Sequence, residues 1–221
     1  MGILTLSQTK FLNEFFTSIL MPKFFLTGGT ALAQYYLQHR LSEDLDFFTI
    51  DQKADFAVVN AQINRLINRL GYKIENQVFT ASFLQFILID RNAKPLKVDL
   101  VKDIPVHFGL IKKEGNIFLD SLENIAVGKL LALFGRSAPK DFVDLYFLLE
   151  KKKVDFENIF DMAKKKDTGL NEFYLALMLS HVSQIKDFPK TIKPFDEKDL
   201  VKFFINLSDK LYQKIKPGET M

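Results

Sequence analysis

No cysteine occurs in the 221 residues. That excludes a disulfide framework, a thiolate metal site and a cysteine nucleophile. Tryptophan is absent as well, and the only histidines, His39, His107 and His181, are scattered without metal-ligand spacing. A zinc centre or histidine-based hydrolysis is therefore not expected. No apolar run approaches the roughly 20 residues of a membrane-spanning helix. The opening residues lack the basic and long apolar regions of a signal peptide and the hydroxyl residue of a myristoylation signal. Charge of one sign is lacking too. Thirty basic residues stand against 27 acidic ones, for a net charge of +3, and neither half is strongly biased. A chain that coats nucleic acid would show more, although a local groove can be basic in a nearly neutral protein. There is no phosphate-binding Walker loop, no Gly-x-Ser-x-Gly and no internal repeat. A reducing cytoplasm fits this composition.

What is present is ordinary globular material with one excess. Hydrophobic residues make up 48% and charged residues 26%, and there are 23 Phe beside 6 Tyr. Phenylalanine must supply the large aromatic volume of the core. Periodicity and breakers predict helices over residues 7–20, with Ser7 as N-cap, over 30–39 and over 55–70. Strands are expected over 23–27, 44–50, 72–80, 82–90 and 95–101. From 122 onward the pattern is helical, over 122–135, 139–151, 155–166, 171–185 and 197–215. The expectation is an α+β protein, with a mixed-sheet domain over residues 1–120 and a helical bundle unit over 121–221.

Three features carry chemistry. Gly28 and Gly29 stand between a strand and a helix, followed by Thr30. Backbone without Cβ atoms can approach a ligand closely, and the free N–H groups of a helix start suit an anion. Asp44 and Asp46 lie two apart in a strand and so share a face, while Leu45 and Phe47 take the other. Asp99 alternates with Val98 and Leu100 and projects with Lys97. Three carboxylates on neighbouring strands suit Mg²⁺, a hard cation that takes oxygen ligands, and two such ions are the usual arrangement for in-line nucleotidyl transfer. Taken singly, each feature also has an ordinary reading: a plain turn, a solvated strand face, a surface aspartate.

Their order is more telling than any one of them. Strand, Gly-Gly, helix, Asp-x-Asp strand and a later Asp-bearing strand resemble the nucleotidyltransferase superfamily of DNA polymerase β. The string Leu26-Thr-Gly-Gly-Thr-Ala-Leu-Ala33, then Tyr36, Leu37, His39, Arg40, Ser42 and Asp44-Leu-Asp-Phe-Phe48, resembles the AbiEii/AbiGii toxin family of nucleotidyltransferases. A second block, Lys129 with Arg136 and then Lys140-Asp141 with Asp144-Leu145-Tyr146, looks like the later motifs of that family. Lys140 departs from the arginine common there.

The resemblance implies an enzyme that moves a nucleoside monophosphate from a nucleoside triphosphate to an acceptor hydroxyl. The acceptor it suggests is RNA, notably the tRNA acceptor end, with a cognate antitoxin as partner and no membrane. It places the triphosphate against Gly28, Gly29, Thr30, Arg40 and Ser42, the metals on Asp44, Asp46 and Asp99, Lys129 on the phosphates and Asp141 close by. By residue type alone, Lys129 is equally a snorkelling lysine. Asp141 and Asp144 are equally early-helix acids favoured by the dipole, with Lys140 and Asp144 spaced as an i, i+4 pair. An idle nucleotide-binding module, or a transferase acting on a protein or small molecule, would show the same carboxylates.

Overall fold

The computed structural model describes residues 3–20 and 23–215, so Gly2, Pro22 and the tail after 215 lie outside the described residues. Two compact units divide the chain, Met1–Asn124 and Ile125–Met221.

The first unit is built on a seven-stranded sheet. Its strands are β1 (Phe25–Thr27), β2 (Leu45–Thr49), β3 (Lys73–Phe79), β4 (Phe83–Ile89), β5 (Pro95–Lys102), β6 (Lys112–Glu114) and β7 (Ile117–Leu119). They run in the order β3-β4-β5-β2-β1-β7-β6. The sheet is mixed: β2 is antiparallel to β1 and parallel to β5, and β7 is parallel to β1. The β6–β7 hairpin lies where the sequence pattern predicts no strand. Each of its strands is three residues long, and all of β6 is exposed, so neither carries a readable alternation.

Alternation sorts the central strands onto two faces. Leu45, Phe47, Leu84, Phe86, Leu88, Leu96, Val98 and Leu100 are buried. Phe15 of α1 (Leu6–Phe16) stacks on Phe47 with ring centroids 4.0 Å apart, and Phe24 meets Phe56 of α3 (Phe56–Leu70). Much of the phenylalanine excess is thus packing behind the sheet. The opposite face carries Asp46, Gln85, Lys97 and Asp99, all half-buried. α3 begins where Asp55 caps the N–H groups of Ala57 and Val58, and it ends at Gly71, whose left-handed conformation closes the helix. The cap of α1 is Thr5 rather than Ser7. Its hydroxyl accepts from the N–H of Gln8 while the Gln8 side chain accepts from the N–H of Thr5, a reciprocal capping box. Ser7 instead donates to Asp90.

The second unit is helical. It takes in most of α4 (Leu122–Arg136), since the division falls inside that helix. α5 (Pro139–Tyr146) follows and continues as a wide π-helical turn, Phe147–Lys151. Then come α6 (Phe156–Lys166), α7 (Glu172–Ser180), a short 3₁₀ turn His181–Gln184, and α8 (Glu197–Lys214). Phe142 and Phe204 pack edge to face at 5.1 Å, and Ser208 donates to the carbonyl of Ala176. No helix among the described residues is long and apolar enough to cross a membrane.

Candidate active site

The Gly-Gly turn follows β1 and opens α2 (Gly28–Ala31), which runs on as a π-helical turn, Leu32–Leu37. Gly28 has φ +68°, a conformation that side chains with a Cβ resist. A Cβ added there would lie 2.0 Å from Asp46 Oδ2 and 2.7 Å from Asp46 Cγ. The carboxylate of Asp46 therefore rests on the bare Cα of Gly28. β1 and β2 bring them together, with Thr27 opposite Asp46 in register. A Cβ on Gly29 would meet Arg40 Nη2 at 2.8 Å and Ser42 Oγ at 2.9 Å. Arg40 and Ser42 thus gather at the second glycine. Gln8 of α1 secures that loop by donating to the Ser42 carbonyl at 2.8 Å. The Thr30 hydroxyl donates to the backbone carbonyl of Asp44, tying the helix start to the entry of β2.

The carboxylates line up across two parallel strands. Asp46 stands opposite Asp99 in the β2–β5 register, and Asp44 immediately precedes β2. Lys97 stands among them. Its Nζ is 2.8 Å from Asp99 Oδ2 and 3.7 Å from Asp44 Oδ2. Gln85 of β4 donates to Asp99 Oδ1 at 3.0 Å. Burial works against the Lys97 ammonium, but the hydrogen bond to Asp99 and the charges of Asp99, Asp44 and Asp46 outweigh it and hold its pKa above that of an ordinary lysine. The donor set has the chemistry of a hard-cation site. Its arrangement does not: among the described residues no three Asp, Glu or His side chains converge as metal ligands.

Lys129, Arg136, Asp141 and Asp144 form a cluster inside the helical unit. Lys129 is 7% exposed, and its Nζ lies 2.7 Å from Asp144 Oδ2 and 3.5 Å from Asp141 Oδ1. Lys129 therefore does not snorkel to water. Arg136 holds Asp141 with two parallel bonds, Nε to Oδ2 at 2.7 Å and Nη2 to Oδ1 at 3.1 Å, the bidentate geometry a guanidinium favours. Both aspartates are fully buried. Asp141 and Asp144 are thus matched against Lys129 and Arg136 in a compact network.

One polar hub had no sequence signal. Asp120, fully buried, accepts from Thr27 Oγ1 at 2.6 Å and from Asn124 Nδ2 and the Ser121 N–H, and it meets His107 Nε2 at 2.8 Å. Its carbonyl accepts from the Tyr36 hydroxyl at 2.5 Å. Burial, then the charges of Asp120, Glu123 and Glu114, push the Tyr36 phenol up to about 12. Asp120 thereby fixes Thr27, the neighbour of Gly28 and the register partner of Asp46.

The comparisons with known proteins bear on the family and the fold. The AbiEii nucleotidyl transferase toxins of type IV toxin–antitoxin systems match residues 10–215 as a family. An uncharacterized protein of Aquifex aeolicus is 32% identical over 146 residues, a stretch that takes in 65% of this chain and 66% of that protein, just short of two thirds of its length. The nucleotidyltransferase toxin MenT4 from Mycobacterium tuberculosis superposes with a TM-score of 0.64 at 11% identity, over 96% of this chain and 83% of MenT4. JHP933 from Helicobacter pylori gives 0.51 at 19% identity, over 93% and 89%. At those identities the structural likeness is one of fold. The family match is of another order, since it runs through both units: the chain belongs to the AbiEii nucleotidyl transferase toxins of type IV toxin–antitoxin systems.

Proposed function

We propose that the chain transfers a nucleoside monophosphate from a nucleoside triphosphate to a hydroxyl of RNA, with the tRNA acceptor end as first candidate. It acts as the toxin of a type IV pair, in the cytoplasm where both substrates occur, and is countered by a cognate antitoxin. The observation that carries this reading is the Asp46 carboxylate laid on the bare Cα of Gly28. A glycine turn and an Asp-x-Asp strand in contact are what a site needs in order to hold phosphates beside carboxylates.

In this reading the backbone N–H groups of Gly28, Gly29 and Thr30 face the triphosphate, since the first N–H groups of a helix have no intrahelical acceptor. Arg40 and Ser42, gathered at Gly29, add a guanidinium and a hydroxyl suited to phosphate oxygens. Asp44, Asp46 and Asp99 are the residues that would hold Mg²⁺, as two ions, which when bound supply neutralisation of phosphate and leaving-group charge. The reaction joins the acceptor oxygen to the α-phosphorus, breaks the bond to the bridging oxygen and releases pyrophosphate and the hydroxyl proton. Lys129 and Asp141 enter as one buried, mutually paired set of the helical unit.

The test is incubation with each α-labelled nucleoside triphosphate, Mg²⁺ and either total RNA or an RNA-free protein extract. Label in an RNA band from one nucleotide, absent with Asp46→Asn, is the expected result. No label in RNA with any nucleotide, or equal label with Asp46→Asn, overturns the assignment. Label confined to protein moves the acceptor to another class.

A further inference from the structure

The sheet face that carries the carboxylates continues past them. Asp46 stands opposite Asp99, Asp99 opposite Gln85, and Gln85 opposite Val78. Directly paired residues share a face, so one row runs from β2 across β5 and β4 to β3. Val78 is 40% exposed. It lies two strand spacings beyond β5, about 10 Å. Asn76 and Ile87 pair on one side of that row, and Phe83, opposite Val101, flanks it on the other. Gln77 and Phe79 face the opposite way, and the Gln77 amide donates to Asn60 of α3 at 2.7 Å. Asn76, Val78, Phe83, Gln85 and Ile87 are uncharged, and none is fully buried. The β1 end of the same face is shut. Phe25 and Thr27 are buried, Thr27 bonded to Asp120 and Phe25 packed on the His107 ring at 5.3 Å.

Direction follows from the chemistry. In the proposed transfer the acceptor oxygen bonds to the α-phosphorus opposite the bridging oxygen, which leaves with pyrophosphate, while the hydroxyl proton passes to water. The triphosphate, placed against Gly28, Gly29 and Thr30, takes the β1 side of Asp46. The attacking oxygen must then arrive from the β5 side, over β4 and β3. We infer that the β4–β3 half of this face is the acceptor platform and seats unpaired bases of the RNA, with Phe83 and Val78 under the base planes and the amides of Asn76 and Gln85 at base edges. Apolar and amide side chains match the π-face and polar edge of a nucleobase rather than a phosphate. Gln85, which also donates to Asp99 at 3.0 Å, joins the platform to the site. The inference rests on the proposed nucleotidyl transfer to RNA.

The test uses the full chain with two readouts. One is the KM for purified tRNA in label transfer. The other is the anisotropy of a fluorescent single-stranded RNA, which needs no transfer. Val78→Glu sets a carboxylate on the platform. Phe79→Glu sets one on the next residue, which is 51% exposed and on the opposite face. Val78→Glu should weaken both RNA readouts about tenfold, the size of one lost base stack, and move kcat and the KM for the nucleotide less. Phe83→Leu keeps the apolar character, loses the ring and should shift both in the same direction, whereas Phe83→Tyr should hold the wild-type values. Phe79→Glu should match the wild type, and thermal unfolding should show every variant folded. If the wild type labels RNA but Val78→Glu binds it as well, or Phe79→Glu weakens it as much, the platform is overturned and the transfer stands. If the wild type labels no RNA, the transfer and the platform fall together.

Discussion

Gly28→Ala is the sharpest perturbation this structure offers. The backbone there has φ +68°, and an alanine in that conformation costs about 1–2 kcal/mol. For a protein of this size, each kcal/mol lowers the melting temperature by about 2–4 °C, so thermal unfolding should fall by about 2–8 °C with cooperativity retained. The larger effect is on the site. The new methyl would stand 2.0 Å from Asp46 Oδ2, against a comfortable separation of roughly 3.5 Å. The carboxylate must therefore move by more than an ångström, a misplacement that costs on the order of a hundredfold in rate. Label transfer measured beside thermal unfolding should show a folded protein with activity down at least that far. Gly29→Ala is the control. Its added methyl meets only the far ends of Arg40 and Ser42, at 2.8 and 2.9 Å. Those ends can swing aside, so the change should raise KM for the nucleotide more than it lowers kcat. A Gly28→Ala protein that transfers label at the wild-type rate would refute the reasoning, because Asp46 would then not need the position it holds.

Further outcomes are expected elsewhere in the chain. Lys129→Met leaves two buried carboxylates with one fewer cation and should destabilise the protein by about 3–5 kcal/mol in denaturant titration; an unchanged midpoint would show that the network contributes little. Asp120→Asn turns an acceptor of several hydrogen bonds into a partial donor and should cost about 1–3 kcal/mol. It should also slow label transfer, because Thr27 is no longer held. The hydroxyl of Ser7, then the backbone N–H groups of Lys94 and Asn92, hold the Asp90 carboxyl below its ordinary value. A depressed carboxylate adds stability above its unfolded pKa of about 3.9 and loses it as pH falls through the folded value. Asp90→Asn should therefore lower the melting temperature at pH 6 and bring it closer to that of the wild type at pH 2.5.

Legibility in the sequence followed the physics of each element. α3 could be placed from its ends, because Asp55 and Gly71 are a capping residue and a stop and the stripe between them is regular. β2 could be placed from alternation, since Leu45 and Phe47 are buried and Asp46 is not. β6 and β7 could not, because three-residue strands draw their definition from partners elsewhere in the sheet. The π-helical continuations of α2 and α5 left no mark in the pattern either. At the site, the order of motifs was readable, but the contact between Gly28 and Asp46 was not. That contact depends on the antiparallel β1–β2 register, which no local signal encodes. Lys97 was readable as a residue on the face of Asp99, whereas Asp120 was not readable, because Thr27 and His107 are brought to it only by the fold.

The β2–β5 ladder has a consequence for when the carboxylate face is completed. Asp46 and Asp99 are direct partners across two parallel strands, yet α3 and the β3–β4 hairpin lie between them in the chain. Pairings of such long range close late, after the local elements have formed. A polypeptide still being synthesised, with β5 not yet available, holds Asp44 and Asp46 but lacks the opposing carboxylate and Lys97. The topology thus delays completion of the carboxylate face until most of the first unit has been made.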